Sequence, residues 1–478
     1  MLPLSGPALM AAGRRAFMIV WNEFPFALLF PVERRASWTV SLGLSRLAGG
    51  VEIPTTVLMA GSVVLTPPIV IVFPAGGRLL TEGRTAGAEK GKTMLTAGQI
   101  LQLIRAGSCR TRKELIEFTG LSRSTITDRV DRLIDAGYIH ESGVATSGGG
   151  RPPSVLDVDA TRRLMLVADL GATHARVALT DLAAKPIAEE HTEMRIELGP
   201  DAVLTWVREA FQRTLDRAGR PAHEVCGIGL DVPGSVDHTT GRVIRSFLMP
   251  GWDDYPVSEA IGTAYEVPIL VENDANAMAL GEWWSFWRDS ESMMLVKVST
   301  GIGTGIIIDG RIYRGVEEAA GNIGHVRLRE TDERVCTCGS RGCVASLASG
   351  YAVASDLGRT SSREVVRLVQ AGDPEAIARV QEAGRTLGVV LATAVSLLNP
   401  GVLVLGGDMA GTREHYLTGV RESVYRRSLP YTTRNLEIVT SSLGERAGIV
   451  GMAVLVMEHV LSPSAVDAVL AARTRAVS

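Results

Sequence analysis

Hydrophobic and polar positions divide the chain into three stretches of different character. From residue 96 the pattern is helical. Ile100, Leu101, Leu103 and Ile104 recur on one face and stop at Gly107. Thr111-Arg-Lys-Glu114 has the form of a capping box, and the helix it opens carries Leu115, Ile116 and Phe118 as far as Gly120. Ser122 is the expected N-cap of a third helix, which turns Ile126, Val130, Leu133 and Ile134 inward and ends at Gly137. Helix, short glycine-containing turn, helix predicts a helix-turn-helix. A hairpin-like stretch follows Tyr138-Ile139 and runs to Ser147-Gly-Gly-Gly-Arg-Pro-Pro153, which reads as a flexible wing carrying Arg151.

Beyond residue 162 the pattern becomes short apolar strands that end in glycine turns. Leu164-Met-Leu-Val-Ala runs into Asp169-Leu-Gly171-Ala-Thr173, and the strand resumes at Val177. A second such hairpin holds Thr300, Gly301, Gly303 and Gly305, and Gly406-Gly407 ends a third apolar strand. Backbone amides at such turns can hold a phosphate, and Asp169 can position a metal ion on it. Hairpins at Gly171 and Gly301 predict a duplicated fold with a cleft between two lobes. Between them, Pro268-Ile-Leu-Val-Glu-Asn273-Asp274-Ala-Asn276 places a carboxylate at a strand end. It suits a general base toward a sugar hydroxyl, although a helix cap explains Asp-Asn equally well locally.

Residues 1–93 show no sustained period. Pro54 to Gly77 is uncharged and long enough to span a bilayer, but Pro67-Pro68 interrupts its middle and glycines break it. A secretory signal would need a compact apolar core near the terminus and a small-residue cleavage site, and neither is clean here. The expectation is a mis-assigned or disordered extension, with the protein beginning at or near Met94, rather than a membrane anchor.

Composition narrows the function classes. The 478 residues are 46% hydrophobic and 21% charged, which excludes a disordered chain and implies two or three domains. A net charge of −3 excludes a polycation, so any nucleic-acid surface is local. Residues 94–157 carry eight Arg/Lys against seven Asp/Glu, so placement rather than charge carries the DNA argument. With Ile126 and Val130 inward, Arg123, Ser124, Thr125, Thr127 and Arg129 are expected outward beside Ser122. Arg112 is expected on the same surface, and Arg151 on a minor groove.

Five cysteines exclude a disulfide scaffold. Three of them follow His325 as His-x10-Cys336-x-Cys338-x4-Cys343. One imidazole and three thiolates complete a closed tetrahedral shell, predicting structural Zn2+. Buried free thiols or a disulfide are the alternatives, and neighbouring Cys-x-Cys residues pair poorly.

Residues 95–478 resemble a ROK-family transcriptional regulator. The resemblance rests on Gly-Leu-Ser-Arg-Ser-Thr, Gly-Gly-Arg-Pro, Asp-Leu-Gly-Ala-Thr, Pro250-Gly-Trp252, Glu-Asn-Asp-Ala-Asn, Thr-Gly-Ile-Gly-Thr-Gly, Ala320-Gly-Asn-Ile-Gly-His325 and Cys-Thr-Cys-Gly-Ser-Arg-Gly-Cys, in family order. It implies an α/β protein in which a winged helix-turn-helix over 95–157 precedes a two-lobed actin/hexokinase-like (ribonuclease H-like) domain over 162–478. It further implies a cytoplasmic homodimer or larger homo-oligomer that binds operator DNA and responds to a sugar, without a membrane. Asn273, Asp274, Asn322 and His325 would face the ligand. Were kinase activity retained, Asp274 would be the base, and ATP/Mg2+ would lie on Asp169, Gly171, Thr173, Thr300, Gly301, Gly303, Gly305, Gly406 and Gly407.

The departures from family kinases are specific. Leu248 replaces a sugar-contacting Asn, Asn322 an acidic residue and Ala345 a Glu; Ala172 replaces a Gly and His174 a Lys. Together they point to a sensor rather than an enzyme, since binding without turnover needs only different affinities for two states. An ATP-dependent sugar kinase or a bifunctional regulator-kinase is the alternative, and a protein-tethering scaffold a third. A dedicated kinase has no use for residues 95–157.

Overall fold

The computed structural model describes residues 95–144, 154–244, 249–328 and 334–477. The expectations for residues 1–93, Arg151 and Leu248 lie outside these residues.

The N-terminal module contains α1 (Ala97–Arg105), α2 (Arg112–Thr119) and α3 (Arg123–Asp135), followed by β1 (Ile139–Val144) paired antiparallel with β2 (Ser154–Val158). Each helix has a hydroxyl cap: Thr96 accepts from Gln99 N, Thr111 from Glu114 N and Ser122 from Thr125 N. The complete capping box belongs to α1, where Gln99 reaches back to Thr96 N. In α2 the Glu114 carboxylate instead takes the Arg110 amide, one residue before the cap. Gly120 closes α2 at φ +66°, a left-handed value that favours glycine. Ile100, Leu101, Leu115, Ile126, Val130, Leu133, Tyr138 and Leu156 are fully buried and form the module's core.

The remainder is a duplicated two-lobed fold. In the first lobe, β3 (Leu164–Leu170), β4 (His174–Asp181), β5 (Pro186–Glu193), β6 (Val225–Val232) and β7 (Ile269–Asn273) lie in the order β5-β4-β3-β6-β7. In the second, β8 (Ser292–Val298), β9 (Ile302–Ile308), β10 (Arg311–Ile312), β11 (Val402–Gly406) and β12 (Glu437–Thr440) lie in the order β10-β9-β8-β11-β12. Each sheet is an antiparallel meander of three strands followed by two parallel additions, so the two lobes repeat one topology. Each lobe has its own apolar cluster. Helix α4 (Pro200–Ala218) covers the first sheet, and α6 (Pro374–Leu398) with α7 (Glu414–Arg427) builds the core of the second.

Two helices join the lobes. Helix α5 (Asp274–Phe286) packs on the second sheet, α8 (Ala447–Val460) packs on the first, and each packs against the other. Their backbones touch through glycine. A Cβ on Gly451 would stand 1.7 Å from Ala277 O, and one on Gly281 would stand 2.3 Å from Ala447 O. Helix α9 (Pro463–Val477) follows α8 and packs against α1. Among the described residues, no single helix is long and apolar enough to cross a membrane.

Candidate functional site

At the start of α3, Ser122, Arg123 and Ser124 are exposed. The Ser122 hydroxyl is hydrogen-bonded to those of Ser124 (2.9 Å) and Thr125 (2.8 Å), so short donors and acceptors cluster at a helix N-terminus. Thr127 is half-buried beside them.

Two arginines differ from expectation. Arg129 is only 8% exposed: it lies one residue before the buried Val130, where the helical face turns inward. Arg112 is half-buried, with its guanidinium bound to Asp131 Oδ1 at 2.6 Å and to Glu141. It ties α2 to α3 and to the first wing strand, which leaves Arg123 as the exposed guanidinium at the start of α3.

Two of the predicted phosphate turns, those holding Thr173 and Gly301, converge with Asp274 on one cleft. It is lined by Ala172, Thr173, His174, Asn273, Asp274, Lys297, Thr300, Gly301 and Gly303, among others. Asp169 and Asp231 sit side by side at the ends of parallel strands β3 and β6, where ligands of open α/β sheets bind. Gly448, at the start of α8, makes room for them; a Cβ there would lie 2.8 Å from the Asp169 carboxyl carbon and 3.0 Å from Asp231 Oδ2.

Asn273 caps α5: its side-chain oxygen accepts from Ala275 N and Asn276 N, and its amide donates to Gly234 O. Capping therefore falls to Asn273 and leaves Asp274 to face the cleft. Glu272, 2% exposed, anchors the segment through Arg314 Nη2 at 2.5 Å and Asn276 Nδ2 at 2.9 Å.

The glycines divide into two roles. Gly301 and Gly303 line the cleft. Gly305 instead permits packing, since a Cβ there would lie 2.3 Å from Ala275 O. Gly406 would press a Cβ against Met278, at 2.9 Å. Gly407, at φ +79°, packs on Val298 and Ser299, and the Ser299 hydroxyl accepts from Asp408 N.

Sequence reasoning missed Lys297. Its ammonium bonds Asp274 Oδ2 at 2.5 Å with both side chains largely buried. The signal was available: one of the chain's few lysines lies inside the apolar strand Met293-Met-Leu-Val-Lys-Val298. Burial opposes charge on Lys297, but the carboxylates of Asp274, Asp169 and Asp231 outweigh it and raise its pKa. Burial would also raise Asp169, yet His174 and Lys297 bring it down to about 2. Burial, then the charges of Asp169 and Asp274, pushes the Asp231 pKa well above its ordinary value, which favours its protonated form.

Asn322 and His325 do not line this cleft. His325 joins Cys336, Cys338 and Cys343, with one donor atom from each lying within 4.8 Å of every other. Nδ1 of His325 is 3.5 Å from Cys336 Sγ, and the Sγ atoms of Cys338 and Cys343 are 3.8 Å apart. The group is able to hold a metal ion. Burial lowers the His325 pKa, which favours the neutral, ligating imidazole. Ala345, two residues past Cys343, is buried in the second lobe's apolar cluster.

The family description "ROK family" matches residues 165–459, and "Winged helix-turn-helix DNA-binding" matches residues 96–140. The chain belongs to the ROK family. The xylose repressor of Caldicellulosiruptor bescii is 28% identical over 384 residues, covering 76% of this chain and 95% of that protein. A solved ROK-family transcriptional regulator, described as a homologue of the Escherichia coli MLC protein, superposes with a TM-score of 0.66. It is 25% identical and covers 79% of this chain and 98% of its own. The ROK hexokinase of Thermus thermophilus is 32% identical, with a TM-score of 0.52, covering 62% of this chain and 99% of its own. The ROK domain thus has the two-lobed kinase-type fold.

Proposed function

We propose that this ROK protein is a sugar-responsive transcriptional regulator, a repressor, in which the inter-lobe cleft governs operator binding by the winged helix-turn-helix. The observation that carries this reading is helix α8. Its first turn meets the cleft carboxylates at Gly448, and its last turn holds the DNA module, with Arg105 bonded to Glu458. Ten residues of helix separate the two contacts, about 15 Å of rigid rod. A ligand that alters lobe closure shifts α5 against α8, and α1 moves with the end of α8. The relatedness to a xylose repressor supports the effector class.

The regulator acts as a homodimer in the cytoplasm, with two modules reading the halves of a palindromic operator. The Cys3His group holds structural Zn2+. A tetrahedral shell with Zn–S of about 2.3 Å and Zn–N of about 2.0–2.1 Å sets its donors about 3.8 Å (S to S) and about 3.6 Å (S to N) apart. The separations of 3.8 Å and 3.5 Å fit it. Phosphoryl transfer is not part of the reading, because Asp274, the base a kinase would use, is already paired with Lys297. The test is fluorescence anisotropy on a selected operator with a panel of sugars and sugar phosphates. One of them should release the DNA; operator binding that no sugar alters would refute the proposal.

A further inference from the structure

A kinase-type domain implies a magnesium–nucleotide in the cleft, and the residues here do not fit that group. Lys297 lies on the face of β8 turned toward α5, and its neighbours across the sheet are Gly303 and Gly406, so no side chain crowds it at that level. Its ammonium reaches Asp274 Oδ2, with the two side chains 13% and 8% exposed. Across the cleft, the His174 ring lies over the first phosphate turn. A Cβ on Gly171 would stand 2.2 Å from His174 Cε1, and His174 Nε2 is 3.8 Å from Asp169 Oδ2. A lysine and a histidine therefore stand against the carboxylates that a divalent ion would use.

We propose that the Lys297 ammonium is the resident cation of this cleft, replacing a divalent ion among Asp274, Asp169 and Asp231, and that the cleft is a metal-independent site. A hard divalent ion needs several oxygen ligands stripped of competing partners. Here one Asp274 oxygen is bonded to an ammonium, and a doubly charged ion beside Lys297 meets repulsion in a poorly hydrated pocket. A nucleotide triphosphate without its metal would bring several negative charges against Asp169 and Asp274. The ligand suited to the site is uncharged and rich in hydroxyls: the ammonium donates, and the second Asp274 oxygen accepts. This inference concerns the cleft alone and holds whether or not the protein binds DNA.

Mn2+ titration of the full chain, read as the loss of the free-ion electron paramagnetic resonance signal, tests it. Zn2+ is added first to fill the thiolates, and Mn2+ then probes oxygen sites. The wild type should take up no Mn2+ at millimolar concentration and should show no saturable binding of a fluorescent ADP analogue with Mg2+. Lys297→Thr should gain one Mn2+ site per chain, lost again when Asp169→Asn is added. Lys297→Arg, which keeps the cation, should gain none. Saturable Mn2+ uptake by the wild type that depends on Asp169, or saturable Mg–ADP binding, would overturn the proposal. So would a folded Lys297→Thr, with native circular dichroism and zinc content, that binds no Mn2+. If Lys297→Thr does not fold, the two wild-type titrations decide the matter: saturation overturns the proposal and its absence supports it.

Discussion

Arg105, in the last turn of α1, is bound to Glu458 near the end of α8, with Nη1 3.1 Å from Oε2. The pair is partly exposed and contributes about 0–1 kcal/mol at most, so its value is positional. It acts with Gln102 Nε2 on Leu461 O at 2.5 Å and with Gly98 N on Asp467 Oδ1 at 2.9 Å. Together they hold the DNA module on the last turn of α8 and the start of α9.

Loosening that dock should uncouple the ligand from DNA. A Cβ on Gly98 would lie 2.3 Å from Pro463 O, a backbone atom that cannot swing aside. Gly98→Ala improves helix propensity in α1, so any loss is attributable to undocking. Gly98→Ala combined with Arg105→Ala should keep operator affinity, lose the sugar response and split the calorimetric unfolding transition in two. A single transition with an intact response would refute the coupling route.

Two arginines of α3 should behave in opposite ways. Arg123→Ala is expected to cost about 1–3 kcal/mol of operator binding and to leave the melting temperature unchanged. Arg129→Ala is expected to lower the melting temperature, because it empties a buried position. Anisotropy and thermal unfolding on the same two variants separate these outcomes.

Metal content checks the cysteine cluster. The purified chain should carry about one zinc, by elemental mass spectrometry. Cys338→Ser should lose it and lower the melting temperature, since the shell ties the loop after His325 to Cys343. Cys226→Ser, outside the cluster, should retain full zinc.

The two neighbouring aspartates should give opposite pH signatures. Asp231 is raised when folded, so the folded chain keeps a proton that the unfolded chain releases above about 3.9. Stability therefore falls as pH rises from about 4, and Asp231→Asn removes that loss. The variant should match the wild type near pH 4 and melt higher at pH 7. Asp169 is lowered to about 2, so it contributes stability above about 3.9 that is lost as pH falls toward 2. Asp169→Asn should melt lower than the wild type at pH 7. Thermal unfolding of both variants at the two pH values checks the signs.

What the sequence determined by itself was local. The three helices of the DNA module, the N-caps Thr111 and Ser122, the glycine turns after β3 and β8, and the spacing of Cys336, Cys338 and Cys343 depend on residues close along the chain, so periodicity and hydrogen-bonding capacity expose them. Tertiary structure decided which of those residues are occupied by the protein itself. Arg129 and Arg112 looked free until α3 was packed and β1 was paired beside α2. Asp274 read equally well as a base or as part of a helix cap until the turn of α5 gave the capping bonds to Asn273. Lys297 and Asp274 lie on different elements, and Arg105 and Glu458 stand 353 positions apart. Alternation along a strand or helix says that a side chain has a face, but the partner on that face comes from whichever distant element is packed there. That choice is made by burial of the whole core.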